Sequence, residues 1–125
     1  MSLTSGMMTR RRRPKPAGYR IYRGPLAQEQ GKDLPGNVRQ RIKRAIEDLS
    51  TEPRPSQSRE LDLSGVKQAE HLPEGIEVRR LRLDRWRVIY AVDEEWKSVF
   101  VLAVYRRPPY DYGDLDRLIS DLARN

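Results

Sequence analysis

The feature that most constrains this chain lies between residues 76 and 106. Three apolar runs, IEVRRLRL, WRVIYAV and SVFVLAVYR, have strand length and are separated only by short connections at 84–85 and 93–97. Connections that short join antiparallel neighbours, because a parallel neighbour needs a crossover of a dozen or more residues. The runs therefore predict strands over about 76–83, 86–92 and 98–106, laid side by side as two successive hairpins. Arginines at 79, 80, 82, 85, 87 and 106 are threaded through them, and Arg107 follows at once.

Side chains alternate across a strand. Val78, Arg80 and Arg82 then share one face, and Arg79, Leu81 and Leu83 the other. On the next run Trp86, Val88, Tyr90 and Val92 are assigned to the core, while Arg87 points the other way with Ile89 and Ala91. On the last run strict alternation groups Val101, Ala103, Tyr105 and Arg107 against Phe100, Leu102, Val104 and Arg106. A sheet face that carries guanidinium groups suits phosphate, since the planar fork contacts two oxygens at once and does not lose its charge.

Upstream, YRIYR at 19–23 alternates like a short strand, and 26–33 reads as a short helix before Leu34-Pro-Gly interrupts. Asn37 is placed to cap a second helix running from Val38 to about Leu49. Its apolar positions Val38, Ile42, Ala45, Ile46 and Leu49 recur at helical spacing. Arg39, Arg41, Lys43 and Arg44 fall mostly on the opposite face, as a solvated helix surface would. Residues 52–58 carry two prolines and read as a loop, 61–63 as a short extended piece, and 64–75 as loop. Leu115, Leu118, Ile119 and Leu122 predict an amphipathic helix within 112–124. The order β-α-α-β-β-β predicts an α+β domain: a small, mostly antiparallel four-stranded sheet, two N-terminal helices on one face, a concavity on the other, and a C-terminal helix.

Of 125 residues, 1–18 form a basic arm without apolar bulk, expected to be disordered, and 19–125 a single domain. The net charge of +7 is placed rather than spread: five of the 25 Lys and Arg lie in the arm, and the remaining 20 face all 18 acids. The arm reads either as a solvated tail or as an auxiliary contact to RNA or the ribosome. There is no cysteine, which suits a reducing cytoplasm and removes disulfides and thiolate metal sites. No apolar run approaches the ~18 residues of a membrane span, and the arm lacks the apolar segment of a signal peptide. Without a Gly-rich phosphate loop, His/Cys spacing or a Ser-His-Asp set, neither a metal nor a cofactor is implied.

RRLRLDRWRVIYAV resembles the paired-strand signature of the RelE/ParE superfamily of bacterial toxins. VFVLAVYRRPPYDY is similar to that family's last strand, which ends in basic residues with a tyrosine shortly after. NVRQRIKRAIEDLSTEPRP resembles its second helix and the turn beyond. The likeness covers residues 19–112, and its most specific part is Arg82-x4-Arg87-Val-Ile-Tyr. It implies the toxin of a type II toxin–antitoxin system, with a co-encoded antitoxin as partner. In the RelE branch such a toxin is a metal-independent endoribonuclease that cuts mRNA on the ribosome, the substrate's own 2′-OH attacking the adjacent phosphate. In the ParE branch, the alternative, it is a non-enzymatic protein that poisons DNA gyrase. The RelE-type alignment implies Arg80, Arg82, Arg87 and Arg107 as active-face cations.

Because a permanently charged arginine is a poor general base, Tyr110 and Tyr112 are the candidates for acid–base work. Counted from Arg107, neither falls on the family's tyrosine position, and packing against the terminal helix is the other reading for both. The chain also departs at Val78, where some RelE-type enzymes carry lysine. Glu77 has the wrong strand parity for an acid–base role, and His71 matches no motif position. Arg79, Arg85 and Arg106 serve either substrate steering or solubility.

Overall fold

The run WRVIYAV has apolar side chains on both of its faces, so both faces must be covered. In the computed structural model, which describes residues 18–64, 66–106 and 118–119, this strand is the middle one of five. The elements in chain order are β1 (Arg20–Arg23), α1 (Pro25–Lys32), α2 (Gly36–Asp48), β2 (Ser58–Glu60), a 3-10 turn (Lys67–His71), β3 (Ile76–Leu83), β4 (Trp86–Asp93) and β5 (Ser98–Arg106). The sheet order is β1-β5-β4-β3-β2. β1 runs parallel to β5, and every other neighbouring pair is antiparallel.

The α+β class and the two hairpins are those expected, but the sheet has five strands rather than four. The added strand is β2, three residues earlier than the extended piece expected at 61–63. Its sequence, SRE, has no apolar alternation; pairing alone defines it, through Ser58↔Leu81, Arg59↔Arg80 and Glu60↔Arg79. The second helix also starts earlier than expected. Pro35 (φ −55°, ψ 148°) occupies the cap position without a side-chain cap, and Asn37 lies inside the first turn.

Two cores result. On one face Ala27, Ile42, Ile46 and Leu49 pack against Leu81, Val88, Tyr90, Val92, Val99 and Val101, with Val38 and Ala45 at the margin. The other face is not the open concavity expected. Val78, Ile89, Ala91, Leu102 and Ala103 form a second cluster there, covered by Leu61, Leu63, Val66, Leu72, Leu118 and Ile119. Leu118 and Ile119 are helical and buried; the rest of the expected C-terminal helix, the basic arm up to residue 17, and Arg107, Tyr110 and Tyr112 lie outside the described residues. Among the described residues no helix is long and apolar enough to cross a membrane.

Strict alternation fails on β5. The register shifts so that Ile89 pairs with Ala103 and Tyr90 with Val101. The bulge leaves Leu102 extra: Val101 and Val104 both join the helix-side core, whereas Leu102 and Ala103 join the other. Tyr105 is thereby turned away from the helices to stand opposite Arg87, the re-aiming that a bulge provides.

β1 covers only the first part of β5, and α1 closes the rest of that edge. Gly24 N–H donates to Val101 O at 2.8 Å, and a Cβ at Gly24 would stand 3.3 Å from that oxygen, so glycine fits the close approach. Farther along, Val104 N–H donates to Gln30 Oε1 at 2.6 Å. A side chain thus takes the place of a missing ladder partner.

The α2–β2 loop is braced at the opposite end of the sheet from the β3–β4 turn. Arg54 meets Glu77 at 2.9 Å and Glu94 at 2.8 Å. Glu77 also pairs with Arg79, which donates to Ser58 Oγ at 2.9 and 3.0 Å. Tyr90 is fully buried and donates to Pro53 O at 2.7 Å; burial pushes its phenol up, against the opposing pull of Ser58 and Arg79. Hydrogen bonds from Lys97, Arg54 and Tyr19 hold the Glu94 carboxyl at about 2, down from 4.5. A carboxyl with a depressed folded pKa contributes stability above its unfolded pKa and loses it as pH falls through the folded value. The Glu94 side chain is 39% exposed, so solvent screens the effect. Urea unfolding across pH should show stability falling from about 4.5 toward about 2, and Glu94→Gln should flatten that fall; an unchanged slope would disprove the bracing role.

Candidate nucleic-acid interface

The β3–β4 turn brings two arginine-bearing strand ends together. Asp84 takes a left-handed φ of 54°, a conformation aspartate tolerates because its short polar side chain can bond locally. The two-residue turn sets the ladder from Leu83↔Trp86 down to Ile76↔Asp93. That register places Arg82 opposite Arg87, and Arg87 opposite Tyr105 on β5. Two residues along, Arg80 stands opposite Ile89 on one side and Arg59 on the other. Paired residues share a sheet face, so Arg59, Arg80, Arg82, Arg87 and Tyr105 all lie away from α1 and α2.

Like charges directly opposite each other in an antiparallel ladder are destabilising. Here two such pairs, Arg59/Arg80 and Arg82/Arg87, lie side by side. Local violations of this kind gather at functional sites, and an anion would reverse their sign.

The four cations are not equivalent. Arg59 and Arg82 are exposed and Arg80 is half-buried. Arg80 Nε is buried without a hydrogen-bond partner among the described residues. A buried donor left unpaired costs about 1–3 kcal/mol. Arg87 lies on the expected face but not at its surface: it is 4% exposed. Its Nη1 donates to Asp84 O at 2.8 Å and Trp86 O at 2.9 Å. It therefore holds the turn that carries Arg82 and Arg85, a depth that strand parity cannot reveal.

Arg59, Arg80 and Arg82 line a cleft of about 690 Å³ at the β2–β3 edge, with Ser56 and Gln57 beside them and Arg41 and Asp84 at one end. Gln57 O accepts Arg82 N–H at 3.1 Å, and Arg41 reaches Asp84 at 2.7 Å. A more apolar groove of about 360 Å³ lies between α1 and α2, floored by Ala27, Ile42 and Ile46 and rimmed by Arg23, Lys32, Arg39 and Lys43. It is remote from the paired arginines.

Arg79 and Glu77 belong to the bracing network, so neither steering nor solubility describes Arg79. His71 ends the 3-10 turn, exposed, with Glu70 3.8 Å away. Val78 is 1% exposed in the second core, so this position serves packing. Among the described residues no three His, Asp or Glu side chains are placed to hold a metal. Sequence reasoning missed Arg59, whose strand has no apolar signature, and Tyr105, which only the bulge brings beside Arg87.

No protein-family model matches the chain, and no curated protein does. Solved structures do. The RelE–RelB complex from the archaeon Pyrococcus horikoshii superposes with a TM-score of 0.61 at 22% identity, over 74% of this chain and 99% of that one. The RelBE2 toxin–antitoxin complex from Mycobacterium tuberculosis gives 0.56 at 23% identity, over 74% and 95%. The isolated E. coli RelE toxin gives 0.53 at 20% identity, over 81% and 98%. The chain has the fold of the RelE toxins.

Within this RelE fold the buried and exposed arginines should separate under mutation. Arg87→Ala should lower unfolding free energy by about 1–3 kcal/mol, because two turn carbonyls lose a charged donor. Arg82→Ala should stay within about 0.5 kcal/mol, its side chain being exposed. Urea unfolding of the two variants checks this; equal losses would contradict the assignment of Arg87 as the residue that holds the turn.

Proposed function

We propose that this protein is the toxin of a type II toxin–antitoxin pair, acting in the cytoplasm as an endoribonuclease that cuts mRNA on the translating ribosome. The observation that carries this reading is the placing of four arginines in two cross-strand register pairs, Arg59/Arg80 and Arg82/Arg87. They lie on one face of a RelE fold, beside a cleft wide enough for a sugar-phosphate. In the reaction the substrate's 2′-oxygen attacks the adjacent phosphorus, the P–O5′ bond breaks, and a 2′,3′-cyclic phosphate and a 5′-hydroxyl result. The 2′-OH gives up a proton and the leaving oxygen takes one. Arg82 and Arg80 bind the phosphate oxygens and offset the charge that builds on them. Arg87 fixes the turn and adds a permanent positive charge. Proton transfer falls to tyrosine: Tyr110 or Tyr112 as the resemblance implies, with Tyr105 a further hydroxyl in the Arg82–Arg87 row. Arg107 completes the cation set. A site of phosphate binders without a strong base gains most from a substrate held in place by the ribosome.

The partner that restrains the toxin is an antitoxin. One of the similar structures is a toxin–antitoxin complex and another is a RelE–RelB complex. The groove between α1 and α2, apolar in its floor and basic at its rim, and the arginine face both complement an acidic segment that folds on binding.

Induced expression should arrest growth, and primer extension should map cuts in translated mRNA with little cutting of free RNA. Arg80→Ala with Arg82→Ala should lower cleavage by about 10²–10³-fold. Intact mRNA with gyrase-linked DNA breaks would overturn the nuclease reading in favour of a ParE-type poison. A second expectation concerns the neighbouring gene: co-expressing its product should restore growth. Protection mapping on the complex should show cover over Arg80 and Arg82, over the α1–α2 groove, or over both; exposure unchanged at every one of these would refute the inhibition scheme.

A further inference from the structure

The cleft at the β2–β3 edge does not end at the turn. A second groove, of about 800 Å³, opens on the other side, with Pro35, Val38 and Trp86 as its apolar lining and Arg41, Arg85 and Arg106 around them. The two share Arg41 and Asp84, so they adjoin at the β3–β4 turn, and their lining residues together mark a path around it. Asp84 is the single carboxylate on this path among the described residues, and Arg41 already neutralises it at 2.7 Å. Arg85 and Arg106 are exposed. Neither forms an ion pair with a described carboxylate.

Trp86 packs against the helix-side core while also lining the groove. Arg106 is its cross-strand partner, so both side chains leave the same sheet face and line the same groove. An aromatic ring anchored from behind and flanked by permanent cations suits single-stranded nucleic acid. A base stacks on the ring whatever its identity, and the phosphates on either side meet the guanidinium groups.

Building on the reading of the protein as an RNA-cutting toxin, we propose that its RNA track continues from the Arg80–Arg82 cleft around the turn into this second groove. There a nucleobase stacks on Trp86 and the flanking phosphates are held by Arg85 and Arg106. The segment bound is single-stranded, because a base within a duplex is stacked on both faces and has none to offer the indole.

The full chain has two tryptophans, and Trp96 is 73% exposed at the β4–β5 turn, so Trp96→Phe leaves Trp86 as the only indole at little structural cost. That protein is titrated with a short single-stranded 2′-O-methyl oligoribonucleotide, which cannot be cut, and separately with inorganic polyphosphate and an acidic peptide. The oligonucleotide should quench Trp86 fluorescence to saturation, while polyphosphate binds with little quenching. Adding Arg85→Ala and Arg106→Ala should reduce the slope of log affinity against log salt by about 1.4, two contacts at about 0.7 each. Oligonucleotide binding that leaves Trp86 fluorescence or the salt slope unmoved overturns the proposal, as does equal quenching by polyphosphate. Tighter binding of the acidic peptide, with its own quench, also overturns it and makes the groove a protein-docking site. Primer extension on translated mRNA reads the nuclease function separately: cuts without Trp86 quenching defeat this inference alone, and absence of cuts defeats the reading beneath it.

Discussion

The antiparallel ladder between β3 and β4 is the constraint on which the rest depends. Its eight pairs, from Ile76↔Asp93 to Leu83↔Trp86, are set by a turn of two residues. A slip of one position would exchange the faces of β3. Arg80 and Arg82 would then enter the helix-side core, and Leu81 and Leu83 would face away from α2. The turn is therefore held firmly. Asp84 supplies the left-handed residue and pairs with Arg41 of α2, while Arg87 donates to two carbonyls of the turn itself. The cations of the site and the packing of the helices are two consequences of one register.

The bulge on β5 is the second device, and it acts on the site rather than on the core. Without it Val101, Ala103 and Tyr105 would all face the helices. With it, Val104 replaces Ala103 in the helix-side core and Tyr105 turns to Arg87. A phenol is thereby placed in line with two guanidinium groups without moving either end of the strand.

Much of this was legible beforehand, and the limits have physical causes. The hairpin strands were readable because short connections and period-2 alternation are local signals, and α2 because its apolar spacing is local too. β2 was not readable, since an edge strand of sequence SRE is defined by what it pairs with. The bulge was not readable, because VFVLAVY is apolar at every position and carries no parity of its own. Arg87 was assigned its correct face but not its depth, as alternation gives direction and not burial. The roles of Arg79 and Glu77 depended on Arg54, 23 residues before Glu77 in the chain, and no local pattern encodes that contact.

The distribution of charge follows from the same architecture. Residues 19–125 are close to neutral in sum, with 20 of the 25 bases set against all 18 acids, yet the two ends of the sheet differ. At the end away from the β3–β4 turn, Glu77 and Glu94 absorb Arg54, Arg79 and Lys97. At the turn, Asp84 takes Arg41, while Arg59, Arg80, Arg82, Arg85 and Arg106 have no described carboxylate partner. Carboxylates spent on bracing one end leave the other cationic. Unbalanced charge concentrated at one end of a small domain orients it in the field of a polyanion before contact is made. The cationic end is the one bearing the cleft and Trp86. Neutralising the bracing acids would raise the net positive charge but weaken that orientation, so a stronger overall attraction to a polyanion need not bring faster oriented encounter.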